Sequence, residues 1–151
     1  MANTQAMCTS FKGELLVGHH NFGTGVTRGS TAADTFKAAL YLASATVNAA
    51  TMAYSATNEV SGTGYTAGGV TVTFGTAPST SGTTAFVTPS ASITYSAVTL
   101  STAFDAVLIY NSTQSNKAVS VHTFDSQTVT AGTFSLTMPA NAPSTALLNI
   151  A

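Results

Sequence analysis

Short apolar stretches, several with a period of two, recur along this chain and restrict it to few architectures. In VTVTF, Val70–Phe74, apolar residues alternate with threonine, and FDAVLIYN, Phe104–Asn111, is the most continuous apolar run. A period of two is typical of a half-buried β-strand. On this basis eight segments are predicted strands: 35–43, 70–74, 83–88, 92–95, 104–111, 117–124, 132–138 and 146–150.

Polar turn sequences separate these segments, among them GTAPSTSG, STQSN, DSQTVTAG and PANAPS. Ser, Asn, Asp, Gly and Pro favour turns, each through its own backbone preference. Since the connections carry almost no helical pattern, we predict an all-β fold, an antiparallel β-sandwich or jelly roll of about eight strands. We expect Phe104–Asn111 at the centre, paired with Lys117–Phe124 through STQSN.

The N-terminal residues differ from the rest. Thr9–Gly18 has Phe11 and Leu15 spaced for one helical face, with a capping Thr or Ser before them and a glycine at its end, so we predict one short N-terminal helix. The glycine-rich His19–Asp34 predicts a loop or extended arm. We therefore divide the chain into residues 1–34, the helix and arm, and residues 35–151, the β-sandwich domain.

Charge is scarce in this sequence. Charged residues make up 6% of the chain and the formal net charge is −1, against roughly 25% charged residues in an ordinary soluble domain. Binding to nucleic acid needs several cations on one face, and with four Lys and Arg in total we expect none. Little repulsion keeps copies apart, so we expect part of the surface to be buried against partners or further copies.

Hydroxyl residues are correspondingly abundant: 45 of the 151 residues are Ser or Thr. Such compositions are common in disordered chains, but disorder also requires low hydrophobicity and high net charge. Because 44% of this chain is hydrophobic, we predict a folded, Thr-rich β protein.

Cys8 is the only cysteine, which precludes an intrachain disulfide and a cysteine metal site. We expect it to be a buried or incidental thiol. The first residues lack the basic and apolar segments of a secretory leader, and no window approaches 18 consecutive apolar residues. We therefore expect a protein made in the cytoplasm and not inserted into a membrane.

NEVSGTGYTAGG, Asn58–Gly69, resembles a nucleotide-binding loop at first sight, because Gly62, Gly64 and Ala67 match the G-x-G-x-x-G/A spacing. Such a loop must open a helix whose N-terminal amides receive the pyrophosphate. Here a predicted strand follows, and the Lys-Ser/Thr pair of a phosphate loop is missing. We predict a structural turn with positive φ at one or more glycines. Its glycines are Gly62, Gly64, Gly68 and Gly69.

Three histidines are candidate metal ligands. His19 and His20 are adjacent and point to opposite sides of an extended chain, which disfavours a shared metal. His122 lies opposite the face of Val119 and Val121, so we expect it at the surface or an interface. We predict no metal site and no cofactor.

No catalytic set stands out. No serine lies in a G-x-S-x-G elbow, and the carboxylates of Glu59, Asp105 and Asp125 are far apart in sequence. We expect Glu59 to form hydrogen bonds at the glycine turn and Asp105 to be a polar group at a strand edge or interface. The tyrosines either stack on a sugar or, the interpretation we favour, fill the rim of the core or a protein interface. They are Tyr41, Tyr54, Tyr65, Tyr95 and Tyr110.

Taken together, several segments resemble a family of small virion structural proteins of tailed bacteriophages. The segments, in order, are SFKGELLVG-H, DTFKAALY, AYSATNEVSGTGYTAGGVTVT, FDAVLIYN and KAVSVHTFDSQTVTAGTFSLTMP. The similarity runs from about Phe11 to Ile150. Asn58–Gly69 and the strand Val107–Asn111 are its most specific parts.

What the resemblance implies is a multicopy structural role without catalysis. We expect a capsid decoration, or cement, protein on the outside of the virion, which binds the major capsid protein and copies of itself as a dimer or trimer and stabilises the head. A tail, baseplate or fibre component, which could bind a host surface glycan, is the alternative. Candidate interface residues are Asn21, Phe22, Tyr65 and Tyr110.

Overall fold

The computed structural model describes residues 3–8, 11, 15, 19–20, 22–23, 33–82 and 84–150. All eight elements among these residues are β-strands. They are β1 (Ala6–Met7), β2 (Phe36–Leu42), β3 (Val70–Val72), β4 (Ser79–Ser81), β5 (Thr84–Val87), β6 (Ile93–Asn111), β7 (Lys117–Leu136) and β8 (Leu148–Ile150).

The strands form two antiparallel sheets. The larger has the order β1-β7-β6-β2-β3, and the smaller has the order β4-β5-β8. Side chains from both sheets, such as Leu40 and Val87, belong to one hydrophobic core. The prediction of an all-β antiparallel fold is confirmed, and the two sheets are consistent with a β-sandwich.

Strand β6 occupies the middle of the larger sheet, as predicted for Phe104–Asn111. It pairs with β2 on one side, where Leu40 faces Val107, and with β7 on the other, where Val107 faces His122. A polar turn at 112–116 joins β6 to β7, with positive φ at Ser115 and Asn116. The predicted central hairpin is therefore confirmed.

Both faces of the larger sheet are covered at its centre, and this differs from the half-buried strand predicted for 35–43. Phe36, Ala38 and Leu40 on one face of β2 are buried, but so are Ala39 and Tyr41 on the other. Small and aromatic side chains on that second face let the loops and tyrosines after β2 pack against it. The alternation of apolar residues therefore predicted the position of the strand correctly, but it predicted burial for only one of the two faces that are buried.

A phenylalanine cluster closes the core near the smaller sheet. Phe22 stacks on Phe36 with ring centroids 4.8 Å apart, and Phe74 packs edge-on against both rings. Phe11 meets Phe22 edge-on at 5.8 Å. Such aromatic pairs add roughly 0.5–1.5 kcal/mol each beyond the area they bury.

The largest difference from the sequence prediction concerns β6 and β7, which have 19 and 20 residues. Segments 92–95 and 104–111 belong to one strand, and so do 117–124 and 132–138. The predicted turn DSQTVTAG lies inside β7, where Gln127 faces Phe104 and Gly132 faces Val98. The turn-forming residues lie where the register between β6 and β7 shifts, and Ala131 has a φ of +45°. Asp125 and Gly132 thus mark bulges rather than a chain reversal.

We call the outer part of this hairpin, residues 93–103 with 127–136, the ribbon. Its inner residues, Ile93, Tyr95, Val98 and Leu100, are buried. Most of its outer residues are exposed Ser and Thr, with a few exposed alanines. Clusters of Ser and Thr are also typical of turns, so they hide the alternation of a strand.

Near the N-terminus, β1 pairs with β7, where Ala6 faces Val121. Residues from the predicted N-terminal segment 1–34, ahead of its helix and arm, therefore contribute to the larger sheet. Of the helix predicted over Thr9–Gly18, only Phe11 and Leu15 are described, so that prediction lies outside the described residues. Cys8 is buried, as predicted. No helix among the described residues is long and apolar enough to cross a membrane.

The smaller sheet contains one strand that the sequence did not predict. Ser79–Ser81 lies within the predicted turn GTAPSTSG and pairs with β5, where Ser79 faces Phe86. All three residues of this strand are exposed. It therefore lacks the alternation of apolar and polar residues by which a strand is predicted from sequence. The other predicted strands of this region, 83–88 and 146–150, are confirmed with slightly shorter bounds.

Candidate functional site

The glycine-rich turn is a loop that leaves the edge of β2 and returns to it. Glu59 forms a single antiparallel bridge with Tyr41, and Val70 resumes the ladder opposite Ala38. We call residues 59–69 the Glu59 loop. It leads into strand β3 and not into a helix, so it lacks the helix N-terminus that a dinucleotide site requires.

Glycine is needed at several points where this loop approaches other backbone. The φ angles are +78° at Gly64, +89° at Gly68 and +72° at Gly69, a region that favours glycine. A Cβ at Gly69 would lie 1.6 Å from the Ala38 carbonyl oxygen. Gly62, whose φ is ordinary, leaves room for the Thr99 carbonyl in the same way. The loop is therefore pressed between β2 and the ribbon.

The carboxylate of Glu59 holds the loop from inside. Glu59 is 9% exposed, and its Oε1 accepts hydrogen bonds of 2.7 Å from the Tyr65 hydroxyl and the Gly68 amide. Its Oε2 accepts a third, also 2.7 Å, from the Tyr54 hydroxyl. The hydrogen-bonding role predicted for Glu59 is confirmed. The Gly68 amide of the supposed phosphate loop thus binds a carboxylate of the same chain.

Two tyrosine hydroxyls complete the edge of β2 where the loop departs from it. The Leu40 amide donates to the Tyr65 hydroxyl at 3.0 Å, and the Tyr95 hydroxyl donates to the Ala38 carbonyl at 2.8 Å. An unpaired buried backbone group costs about as much as a lost hydrogen bond. The side chains therefore replace the strand partner that the loop removes.

All five tyrosines take part in this arrangement. Tyr110 donates to the Gly68 carbonyl at 2.8 Å and stacks on Tyr54 with ring centroids 4.7 Å apart. Tyr65 stacks on Tyr95 at 5.9 Å, and the Tyr41 hydroxyl donates to the Ser55 carbonyl at 2.5 Å. The cluster joins β2, β6, the Glu59 loop and the ribbon.

Burial and the charge of Glu59 both keep these tyrosines protonated. Burial is the larger cause, and it raises the pKa of Tyr41 to about 12. The pKa values of Tyr54, Tyr65 and Tyr95 are raised further above 10 for the same reasons. At neutral pH the Tyr54 and Tyr65 hydroxyls donate to the carboxylate and those of Tyr41 and Tyr95 donate to backbone carbonyls. The cluster is therefore a structural network with its polar groups paired.

The four candidate interface residues are not grouped at one surface. Asn21 lies outside the described residues, Phe22 is buried in the phenylalanine cluster, and Tyr110 is buried under the Glu59 loop. Tyr65 is half-buried beside the ribbon. Tyr110 could reach a partner only if the loop opened, whereas Tyr65 keeps an exposed part.

The histidines are also separated. His20 packs against Phe11 at 4.7 Å, and its Nδ1 lies 3.2 Å from the side-chain nitrogen of Asn111. His122 is half-buried on β7, and its Nε2 lies 2.9 Å from the Ser120 hydroxyl. Its position at the surface or at an interface stays a prediction. Burial lowers the pKa of His122 to about 4. Among the described residues, no three His, Cys, Asp or Glu side chains form a group suited to a metal ion.

Asn111 is a polar residue of structural importance that sequence reasoning missed. It is fully buried, and its side-chain oxygen accepts hydrogen bonds from the Thr113 and Gln114 amides at 3.1 Å. Its side-chain nitrogen donates to Asp34 at 2.7 Å. An Asn directly before a polar turn is a signal for this kind of capping.

The outer side of the ribbon is an uncharged part of the described surface. Residues 93–104 and 126–136 contain no charged side chain. Exposed hydroxyl residues run along it, namely Ser101, Thr128, Thr130, Thr133 and Ser135. At about 3.3 Å per residue, the ten residues 127–136 extend for about 30 Å.

Comparison of the chain with protein-family models, with curated proteins and with solved structures finds no match.

Proposed function

We propose that this chain is a non-enzymatic virion structural protein of a tailed bacteriophage, a capsid decoration protein that binds the major capsid protein and stabilises the head. The observation that carries the proposal is the outer side of the ribbon, a long surface covered with hydroxyl groups and free of charge. The resemblance of the sequence segments to phage virion proteins supports the same role.

An uncharged hydroxyl surface is suited to repeated docking. Charged groups must lose water when they enter an interface, and the attraction gained often fails to repay that cost. Ser and Thr lose less and can donate or accept hydrogen bonds with a partner's backbone. Many such weak contacts add up when the same pair of surfaces meets in many copies.

The ribbon is also held in one position before it docks. The Thr99 amide donates to the Thr63 carbonyl of the Glu59 loop at 2.9 Å, and Tyr95 anchors the inner side to β2. Gly64 lies against the Ala97 carbonyl. A surface that is rigid before binding loses less conformational entropy when it binds, which raises affinity without new contacts.

Copy number in purified particles tests the location. A decoration protein should be present at a ratio near one, or a simple fraction, relative to the major capsid protein, as measured by quantitative mass spectrometry. A handful of copies per particle would contradict the proposal and favour the tail, baseplate or fibre alternative.

A charge placed on the ribbon tests the docking surface. Thr128→Lys puts one cation on the exposed outer side, and we expect at least a tenfold loss of incorporation into particles, since about 1.4 kcal/mol suffices for that factor. Ser144→Lys, at an exposed turn outside the ribbon's residues, is the matched control. Equal incorporation of the two folded variants would refute docking through the ribbon.

A further inference from the structure

A groove of about 420 Å³ lies between the Glu59 loop with β3 and the start of the ribbon. Tyr65, Thr66 and Thr71 form one wall, and Thr94 and Ser96 form the other. This volume falls in the range of small-molecule sites, roughly 300–1,000 Å³. All residues that line it belong to the described part of the chain.

Lys37 is the one charged side chain that lines this groove. It lies on β2 opposite Thr71 and is half-buried. Its Nζ lies 3.9 Å from the point where a Cβ at Gly68 would be. Among the described residues no ion pair involves Lys37, and the carboxylate of the adjacent loop, Glu59, already accepts three hydrogen bonds. The cation is therefore available to a ligand.

We infer that this groove binds a polyhydroxylated anion, a saccharide or polyol that carries a carboxylate or a phosphate. Lys37 would pair with the anionic group, which gives a charge-assisted hydrogen bond. The exposed hydroxyls of Thr66, Thr71 and Ser96 match the hydroxyls of a sugar or polyol. One cation is too few for a nucleic-acid backbone.

Tyr65 gives the groove its apolar part. Its hydroxyl is engaged with Glu59 and Leu40, so the half-buried ring and not the hydroxyl is offered to a ligand, while Tyr95 is buried. An aromatic ring beside polar groups suits a sugar, which has both C–H and O–H faces. The network that fixes Tyr65 also fixes this wall before a ligand arrives, which lowers the entropic cost of binding.

The inference does not rest on the virion role, and it is tested on the isolated protein. Trigalacturonate, a glycerol phosphate oligomer and the neutral sugar maltotriose would each be titrated into ¹⁵N-labelled protein. We expect the amides of residues 64–71 and 94–96 to shift with at least one anion, and maltotriose to bind about tenfold more weakly or worse. Whichever anion binds more tightly identifies carboxylate or phosphate as the preferred charge.

Two variants locate the binding. Lys37→Met keeps the length of the side chain but removes its charge, and it should weaken the preferred anion about tenfold. Thr71→Val, within the groove, should weaken it less, and Thr73→Val, two residues along and also exposed, is the control that should bind as the parent does. The inference would be overturned if folded Lys37→Met bound the anion with unchanged affinity, or if maltotriose bound as tightly as the anions. It would equally be overturned if the shifts were confined to other surfaces, or if neither anion caused a shift at millimolar concentration.

Discussion

Replacement of Glu59 by alanine tests most directly how the Glu59 loop is held. The carboxylate accepts three hydrogen bonds of 2.7 Å, from the Tyr54 and Tyr65 hydroxyls and the Gly68 amide. A hydrogen bond to a charged group contributes roughly 1.5–3 kcal/mol, and a buried donor left without a partner costs roughly 1–3 kcal/mol. Tyr54 is half-buried and can turn its hydroxyl to water, whereas Gly68 is buried. We therefore expect Glu59→Ala to lower the free energy of unfolding by about 3–4 kcal/mol.

Urea unfolding at pH 7 measures this loss, provided that the slope of the transition is unchanged. Glu59→Gln keeps one oxygen for Tyr65 and Gly68 and offers an N–H to Tyr54, so its cost should be only about 1–2 kcal/mol. Asp125→Ala removes an exposed acid from β7 and should lie within about 0.5 kcal/mol of the parent. If Glu59→Ala costs less than about 1 kcal/mol, or no more than Glu59→Gln, the carboxylate does not organise the loop as argued.

Two further predictions concern His122 and the loop glycines. Burial lowers the pKa of His122 from 6.5 to about 4, so the unfolded chain binds its proton more tightly. Stability should therefore fall as the pH drops below 6.5, by about 2 kcal/mol at pH 5 from this residue. His122→Gln should flatten this part of the pH profile in urea unfolding, and an unchanged profile would contradict the burial argument. Gly69→Ala should cost about 3 kcal/mol or more, because its Cβ would meet the Ala38 oxygen, whereas Gly82→Ala, with φ +58° and nothing within 4 Å, should cost about 1 kcal/mol. Thermal unfolding compares the two, and equal losses would show that backbone strain alone, without the clash, decides the cost.

The central hairpin could be predicted because local and tertiary signals agree there. The apolar run of Phe104–Asn111 requires burial, and the polar turn after it has residues that tolerate positive φ, Ser115 and Asn116. Only one pairing satisfies both requirements. The short strands at 70–74 and 83–88 were predictable for a similar reason, since each is flanked by turn residues.

The continuity of β7 through the ribbon could not be predicted, because residues 125–131 are mostly exposed and Val129 is the one large apolar residue among them. The exposed Ser and Thr residues in 125–133 are as common in turns as in exposed positions of strands, so they do not distinguish the two. The segment forms a strand because Val129 pairs with Leu100 and Phe134 pairs with Tyr95. Those pairs depend on bulges whose positions follow from the whole sheet and not from local sequence.

The site was predictable only in part. Glu59 lies close in sequence to Tyr54, Tyr65 and Gly68, so a local hydrogen-bonding role followed from the turn itself. Tyr95 and Tyr110 come from β6, and their contribution depends on how that strand lies against the loop. Lys37 gave no signal, because a lysine on a predicted strand is ordinarily a solvent-exposed residue.

The docking surface and the groove share one support, the Glu59 loop. Gly62 and Gly64 bring the loop backbone against Thr99 and Ala97 of the ribbon, while Tyr65 on the same loop forms a groove wall. A carboxylate suits the centre of such a loop because it accepts several hydrogen bonds and donates none. Loss of its charge would therefore loosen both surfaces together, whereas Thr128→Lys should affect only docking and Lys37→Met only the groove. Substitutions at the surface should therefore affect docking and ligand binding one at a time, whereas a substitution at Glu59 should affect both.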